Sequence, residues 1–208
     1  MNAVVSRAMS QIVGFEHYTK YYDNSLKSEV VKISPGDYYI TDQDEIITTV
    51  LGSCISACIR DVRLGIGGMN HFMVPVKCPH TAHPEQDMDT RYGTYAMEHL
   101  INDIYKYGGM RKNLEIKLFG AGNILVGSGN VATMNIEFIR NFMRTEGYMI
   151  ASESLGGDRP RKINYSPITG KVMMKKLSDT SISKVQRQEQ KLQNQVEDTV
   201  VAGEIDLF

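Results

Sequence analysis

Residues Glu45–Pro75 read EIITTVLGSCISACIRDVRLGIGGMNHFMVP. Two apolar runs rich in β-branched residues flank a short polar turn, which is the pattern of a β-hairpin. The first run carries Cys54 and the second carries His71. With the turn centred on Val62–Arg63, Asp61 faces Leu64 and Arg60 faces Gly65, and counting outward sets Cys54 opposite His71. Directly opposed residues of an antiparallel pair share a face, with Cβ atoms about 4.5–5.5 Å apart. A thiol and an imidazole at that separation can exchange a proton. Alternation along the strand puts Ser56 and Cys58 on the face of Cys54, with Ile55, Ala57 and Ile59 on the other. A free cysteine is usually a small buried hydrophobe, but the glycines around this pair point to chemistry. Gly52-Ser53 lets backbone N–H groups turn toward a developing oxyanion. Gly67-Gly68, ahead of Met69-Asn70-His71, would let a substrate chain approach closely.

A useful cysteine needs a partner, because at neutral pH the unassisted thiol is only a few per cent thiolate. His71 can be that general base, and it can return the proton to a leaving nitrogen. A third group should hold the imidazole. Asn70 is adjacent but faces away in a regular strand. Thr48, six residues before Cys54, has the right facing, yet six extended residues span about 20 Å. Thr48 can join only if the chain bends at Leu51-Gly52-Ser53.

The remaining composition sets the frame. A chain of 208 residues with 42% apolar content suits one domain with solvated flanks. A net charge of −1 leaves no electrostatic footprint for nucleic acid. No apolar run approaches the roughly 18–20 residues of a membrane span, so no membrane insertion is expected. MNAVVSRAMSQ lacks a signal-peptide core, which predicts a soluble, cytoplasmic protein. Its three cysteines, Cys54, Cys58 and Cys78, are expected to be reduced.

Along the chain, residues 1–27 read as a polar arm, ordered in part if its aromatics dock. Strands are predicted at EVVKI and DYYIT, joined by a Pro35-Gly36 turn. A helix is predicted over TRYGTYAMEHLINDIYKYGG, stopped by Gly108-Gly109. EIKLF is a strand entering the glycine-rich FGAGNILVGSGN, and a second helix runs from about Val131 to Glu146, with Asn130 as its cap and Gly147 past its end. YMIASES, RKINYS and KVMMKKL read as strands. Strands and helices do not alternate regularly, which predicts an α+β layered sandwich of mixed β-sheets with flanking helices. From residue 178 to 208 the chain is a glutamine-rich tail, with Ile182, Val185, Leu192 and Val196 at helical spacing. It reads as a solvated or partner-docking helix ending in the peptide GEIDLF.

Two other chemistries fit less well. Cys78, His80 and His83 crowd one loop, but no C-x2-C pair or recognised zinc spacing is present, so no metal is expected. FGAGNILVGSGN fails as a nucleotide cradle: Leu125 stands where the third glycine should be, and no Walker lysine follows Gly127. Gly122 and Asn123 are left as a tight strand exit, either beside the site or simply a turn. Gly156-Gly157-Asp158, ahead of Arg159 and Arg161, reads as a solvated hairpin loop.

TTVLGSC followed by GGMNHFMVP resembles the signature of the CheD family of chemoreceptor glutamine deamidases. The likeness continues through RYGTYAMEHLI, KLFGAGN, the NIEF helix and LGGDRPRKINYSPITGKVMMKKL, covering about residues 28–177. The resemblance implies Cys54 as nucleophile, His71 as its acid/base partner and Thr48 as third member. Ser53, Gly52, Asn70, Gly122 and Asn123 are candidates for substrate binding or the oxyanion site. It also implies a fold similar to the catalytic domain of cytotoxic necrotizing factor toxins and a reaction needing no cofactor. The implied substrates are glutamines, and for some members methyl glutamates, on the cytoplasmic helical domains of chemoreceptors. Some members also bind a CheC-type phosphatase. A non-catalytic adaptor binding the same partners is the alternative, and a peptidase or transglutaminase would use the same pair of side chains.

Overall fold

The computed structural model describes residues 12–74, 88–124 and 131–202. The Cys78/His80/His83 loop, the Asn130 cap, the second half of the glycine-rich segment and the terminal GEIDLF lie outside the described residues. Ten strands are numbered in chain order. β1 (Lys20–Asp23), β2 (Ser28–Lys32), β4 (Glu45–Leu51), β9 (Arg161–Tyr165) and β10 (Val172–Lys176) form one five-stranded sheet in that order. β3 (Tyr38–Thr41), β6 (Gly67–Asn70), β5 (Ile55–Asp61), β7 (Leu114–Gly120) and β8 (Ile150–Leu155) form the second. Both are mixed, since β2 runs parallel to β4 and β7 parallel to β8 while their other pairs are antiparallel. Among the described residues three α-helices complete the α+β fold: α1 (Met88–Lys106), α2 (Val131–Thr145) and α3 (Ile182–Ala202).

The strand alternation read from the sequence sets the layers. Ile55, Ala57 and Ile59 of β5 join Met97, Leu100 and Ile104 of α1 and Ile139 and Phe142 of α2 in one core. Cys54 and Cys58 point the other way, into a second core between the sheets, with Ile47, Leu51, Ile163 and Tyr165 from the first sheet. The helix stops fall as expected, with Gly108 and Gly147 both at positive φ. The N-terminal arm does dock: Phe15 packs edge-on against both Tyr38 and Tyr39. Lys20–Asp23 pairs with β2 as an edge strand that its polar composition hid.

Two expectations change. The hairpin pairs Cys58 with Met69 and Arg60 with Gly67, so its register is two residues from the one counted. The loop is longer because Asp61 Oδ1 accepts the N–H groups of Arg63 and Leu64, and Gly65, at φ +73°, donates back to the Asp61 carbonyl. A two-residue shift keeps every side chain on its face, but Ser56 rather than Cys54 now lies across from His71. Gly67 and Gly68 do not open a path for substrate. A Cβ at either would strike backbone of β5 or β3, so their role is close strand packing.

Candidate active site

β4 ends at Leu51 in the first sheet and β5 begins at Ile55 in the second. The bend at Gly52-Ser53-Cys54 is where the chain crosses between sheets, and it places Cys54 at the mouth of the core they share. The FGAGN turn backs this crossing. Ala121 N–H donates to the Cys54 carbonyl at 2.7 Å and Gly122 N–H to the Gly52 carbonyl at 2.6 Å. From α2, the buried Asn135 donates to the Ser53 carbonyl at 2.8 Å and accepts from Val74 N–H at 2.7 Å. With those carbonyls tied back, the N–H groups of Gly52, Ser53 and Cys54 all point to one spot.

His71 follows β6. Its backbone is fixed by bonds to Asp37 and Gly36, and Phe72 pairs with Ile55 across the hairpin. Its Nδ1 lies 2.8 Å from Thr49 Oγ1. The Thr49 hydroxyl has one hydrogen, which it donates to the Ile33 carbonyl at 3.0 Å. The Thr49 oxygen therefore accepts from Nδ1–H, and Nε2 carries the free lone pair. Nε2 is buried and has no hydrogen-bond partner among the described residues. That tautomer is the one a general base needs.

The side chain holding the imidazole thus belongs to Thr49, where Thr48 was expected. Residues 48 and 49 point to opposite faces of β4. Thr49 shares the inter-sheet face of Ile47 and Leu51, whereas the Thr48 hydroxyl reaches Ile163 O at 3.0 Å and Asn164 Oδ1 at 2.6 Å across the β4–β9 pair. Counting Thr48 onto the face of Cys54 assumed one continuous strand, and the crossing at Gly52 resets that parity. Asn70 is also turned away. Its amide bridges Ala57 N–H and the Ala96 carbonyl, tying β5 to α1. The Gly122 N–H is spent on Gly52 and backs the crossing, and the Asn123 N–H is spent on Gly157. Gly52 and Ser53 stay in the candidate oxyanion site.

An unforeseen group occupies that site. Glu189 of α3 accepts from Gly52 N–H (2.8 Å) and Cys54 N–H (3.1 Å) on Oε1, and from Ser53 N–H (2.8 Å) and Ser53 Oγ (2.7 Å) on Oε2. The helix expected to be solvated or to dock on a partner instead packs on its own domain through the face of Val185 and Leu192, with Glu189 between them at 1% exposure. A carboxylate inside an apolar helical stripe was the available signal. Cys54 and His71 lie beneath, 0% and 1% exposed. The Cys54 sulfur, a His71 ring nitrogen and a Glu189 oxygen lie within 4.8 Å of one another. Such a trio could in principle take a metal ion, but four donors already fill the lone pairs of the two carboxylate oxygens. Burial, and then the Glu189 carboxylate, push the Cys54 thiol well above the usual range. Burial pulls His71 down to about 3. In this arrangement both are neutral.

A thiol, an imidazole with a free Nε2 and three converging N–H groups form the set on which thiol-dependent acyl transfer draws. The chain belongs to the CheD family: the model described as "CheD chemotactic sensory transduction" matches residues 73–176. That span begins just past His71, but whole-chain relatives reach over the site. A probable chemoreceptor glutamine deamidase CheD from Hahella chejuensis is 47% identical, covering 93% of this chain and 92% of its own. The protein of the same description from Halorhodospira halophila is 46% identical, covering 94% and 92%. That from Saccharophagus degradans is 40% identical over 98% and 95%, a span that takes in α3.

Proposed function

We propose that this chain hydrolyses the side-chain amide of selected glutamines on chemoreceptors. The observation that carries the reading is the convergence of the Gly52, Ser53 and Cys54 N–H groups on one point beside the Cys54 thiol and His71, in a chain whose relatives are described as chemoreceptor glutamine deamidases. In the reaction, His71 Nε2 takes the thiol proton and Cys54 Sγ attacks the glutamine Cδ. The carbonyl oxygen becomes an oxyanion held by the three N–H groups. Its collapse breaks the C–N bond, and ammonia leaves with the proton from His71. Water, deprotonated by His71, then attacks the thioester, releasing glutamate and restoring the thiol. Thr49 keeps the imidazole in the tautomer that this sequence of proton transfers needs.

The same steps with methanol as leaving group would hydrolyse a methyl glutamate. Each turnover replaces a neutral amide by an anion on a receptor helix, which shifts the packing of a helical bundle. Receptor cytoplasmic domains as substrate put the enzyme in the cytoplasm. Among the described residues no helix is long and apolar enough to cross a membrane. A CheC-type phosphatase offering a receptor-like surface would bind over the same site.

The test is incubation with a chemoreceptor cytoplasmic fragment and peptide mapping by mass spectrometry. Glutamines gaining about 1 Da through the thioester route are expected with the native chain and absent with Cys54→Ala. Turnover that persists in Cys54→Ala, or cleavage of the fragment, would end this reading.

A further inference from the structure

Glu189 is a buried carboxylate with an unusual set of partners. Among the described residues, no lysine or arginine forms a salt bridge to it. Its partners are three backbone N–H groups and one hydroxyl from consecutive residues ending at Cys54. That is where the product of the proposed reaction, a glutamate side chain, would leave its carboxylate. Glutamate is one hydrolysis away from glutamine, and the side chain reaches the site from a helix, as a receptor glutamine would.

The seat around it is built for this fit. A Cβ on Gly52 would fall 2.7 Å from Glu189 Oε2 and would strike Ile124, so the carboxylate approaches bare backbone. Val185, one turn before Glu189, is buried, and Leu192, one turn after it, enters the core that also holds Cys54. The Gln186 amide donates to the Ile124 carbonyl, fastening the helix to the turn behind the nucleophile. With α3 in place Cys54 has no exposed surface, so no substrate reaches the sulfur.

We propose that α3 is a built-in product mimic: it occupies the substrate-helix groove with Glu189 in the oxyanion site and keeps the enzyme closed until a receptor helix displaces it. This rests on the deamidase reading and adds its regulation and the form of its substrate, a glutamine presented by a helix between apolar residues one turn to either side. The resting state agrees with this, since thiol and imidazole are both neutral beneath the helix.

Glu189→Gln in the full chain tests it, because the variant carries its own substrate. Cys54 Sγ should attack Cδ of the introduced glutamine, expel ammonia protonated through His71, and yield to water, restoring Glu189 and a free thiol. Peptide mapping should show residue 189 gaining about 1 Da, and no gain in Glu189→Gln combined with Cys54→Ala. Glu189→Ala, which empties the oxyanion site, should process a receptor fragment about tenfold faster than the native chain. An introduced amide left intact in protein that deamidates the receptor fragment would overturn the mimic alone and leave the enzyme reading standing. No deamidation of position 189 or of receptor by any variant would overturn both. Equal receptor turnover by Glu189→Ala and the native chain would show that α3 does not hold the site closed.

Discussion

The neighbours Thr48 and Thr49 give the sharpest contrast at the scale of single residues. Both are buried and both are β-branched, yet only Thr49 meets His71. Thr49→Val keeps shape and removes the acceptor for Nδ1–H, so the imidazole loses its fixed tautomer. A neutral hydrogen bond is worth about 0.5–1.5 kcal/mol, so kcat on a receptor fragment should fall by up to about tenfold, with KM nearly unchanged. Thr48→Val should leave kcat alone and cost about 1 kcal/mol of stability, by loss of its bonds to Ile163 and Asn164. Steady-state kinetics and urea melts on the pair check both. A drop in kcat for Thr48→Val and none for Thr49→Val would return the third position to Thr48. Sequence reasoning brought Cys54 and His71 together, as the fold does, because side-chain type and β-pattern are local. It missed Thr49 because the face of a strand residue depends on which sheet the chain has just left, and nothing local marks Gly52 as a crossing between sheets.

The β5–β6 hairpin shows the same limit at the scale of elements. Both strands, and the face of every residue on them, were legible from alternation, whereas the register depended on how one carboxylate folds the loop. Asp61 accepts from Arg63 and Leu64 on one oxygen and from Met110 N–H (2.9 Å) and Asn113 Nδ2 (3.2 Å) on the other. The last two lie about fifty residues further on, beyond any local pattern. Burial pushes the Asp61 carboxyl up, but the N–H groups of Met110, Leu64 and Arg63 outweigh it and hold it below the usual carboxylate range. A folded value below the unfolded one, about 3.9, means that the contribution to stability is complete above that pH. It is lost as pH falls through the lower folded value. Asp61→Asn should therefore cost roughly 2–3 kcal/mol at neutral pH, since it sets an amide donor against four donors. The gap to the native chain should close as both are titrated below about pH 3.9. Denaturant melts at the two pH values measure it, and a gap independent of pH would show that the charge of Asp61 contributes nothing.

The whole molecule is two sheets sharing a core whose mouth is closed by a helix from the far end of the chain. The apolar stripe of α3 could be read in the sequence, but its seat could not, because that seat is assembled from Gly36, Tyr92, Ile124 and the Cys54 crossing, which meet only in the fold. How α3 is attached decides what a mutation in it does. Strand pairing ties β1–β10 into their sheets, whereas α3 is held through side chains, chiefly Val185, Gln186, Glu189 and Leu192. An element fastened in this way can open without unfolding the rest. Leu192→Ala removes part of the contact between α3 and its seat, at a cost of about 2 kcal/mol for truncating a buried leucine at the edge of a core. If that cost falls on local opening, the open fraction rises about thirtyfold. Alkylation of Cys54 by iodoacetamide, located by fragment-ion sequencing of the tryptic peptide 33–60 that also carries Cys58, should accelerate by that factor while the Tm of the body moves little. Cys58, in the same core but enclosed by β6 and β7, should remain unreactive in both proteins and so report any general loosening. A lowered Tm with unchanged Cys54 alkylation would instead make α3 an integral part of the cooperative fold. In that case a receptor helix would have to bind elsewhere, because displacing α3 would mean unfolding the enzyme.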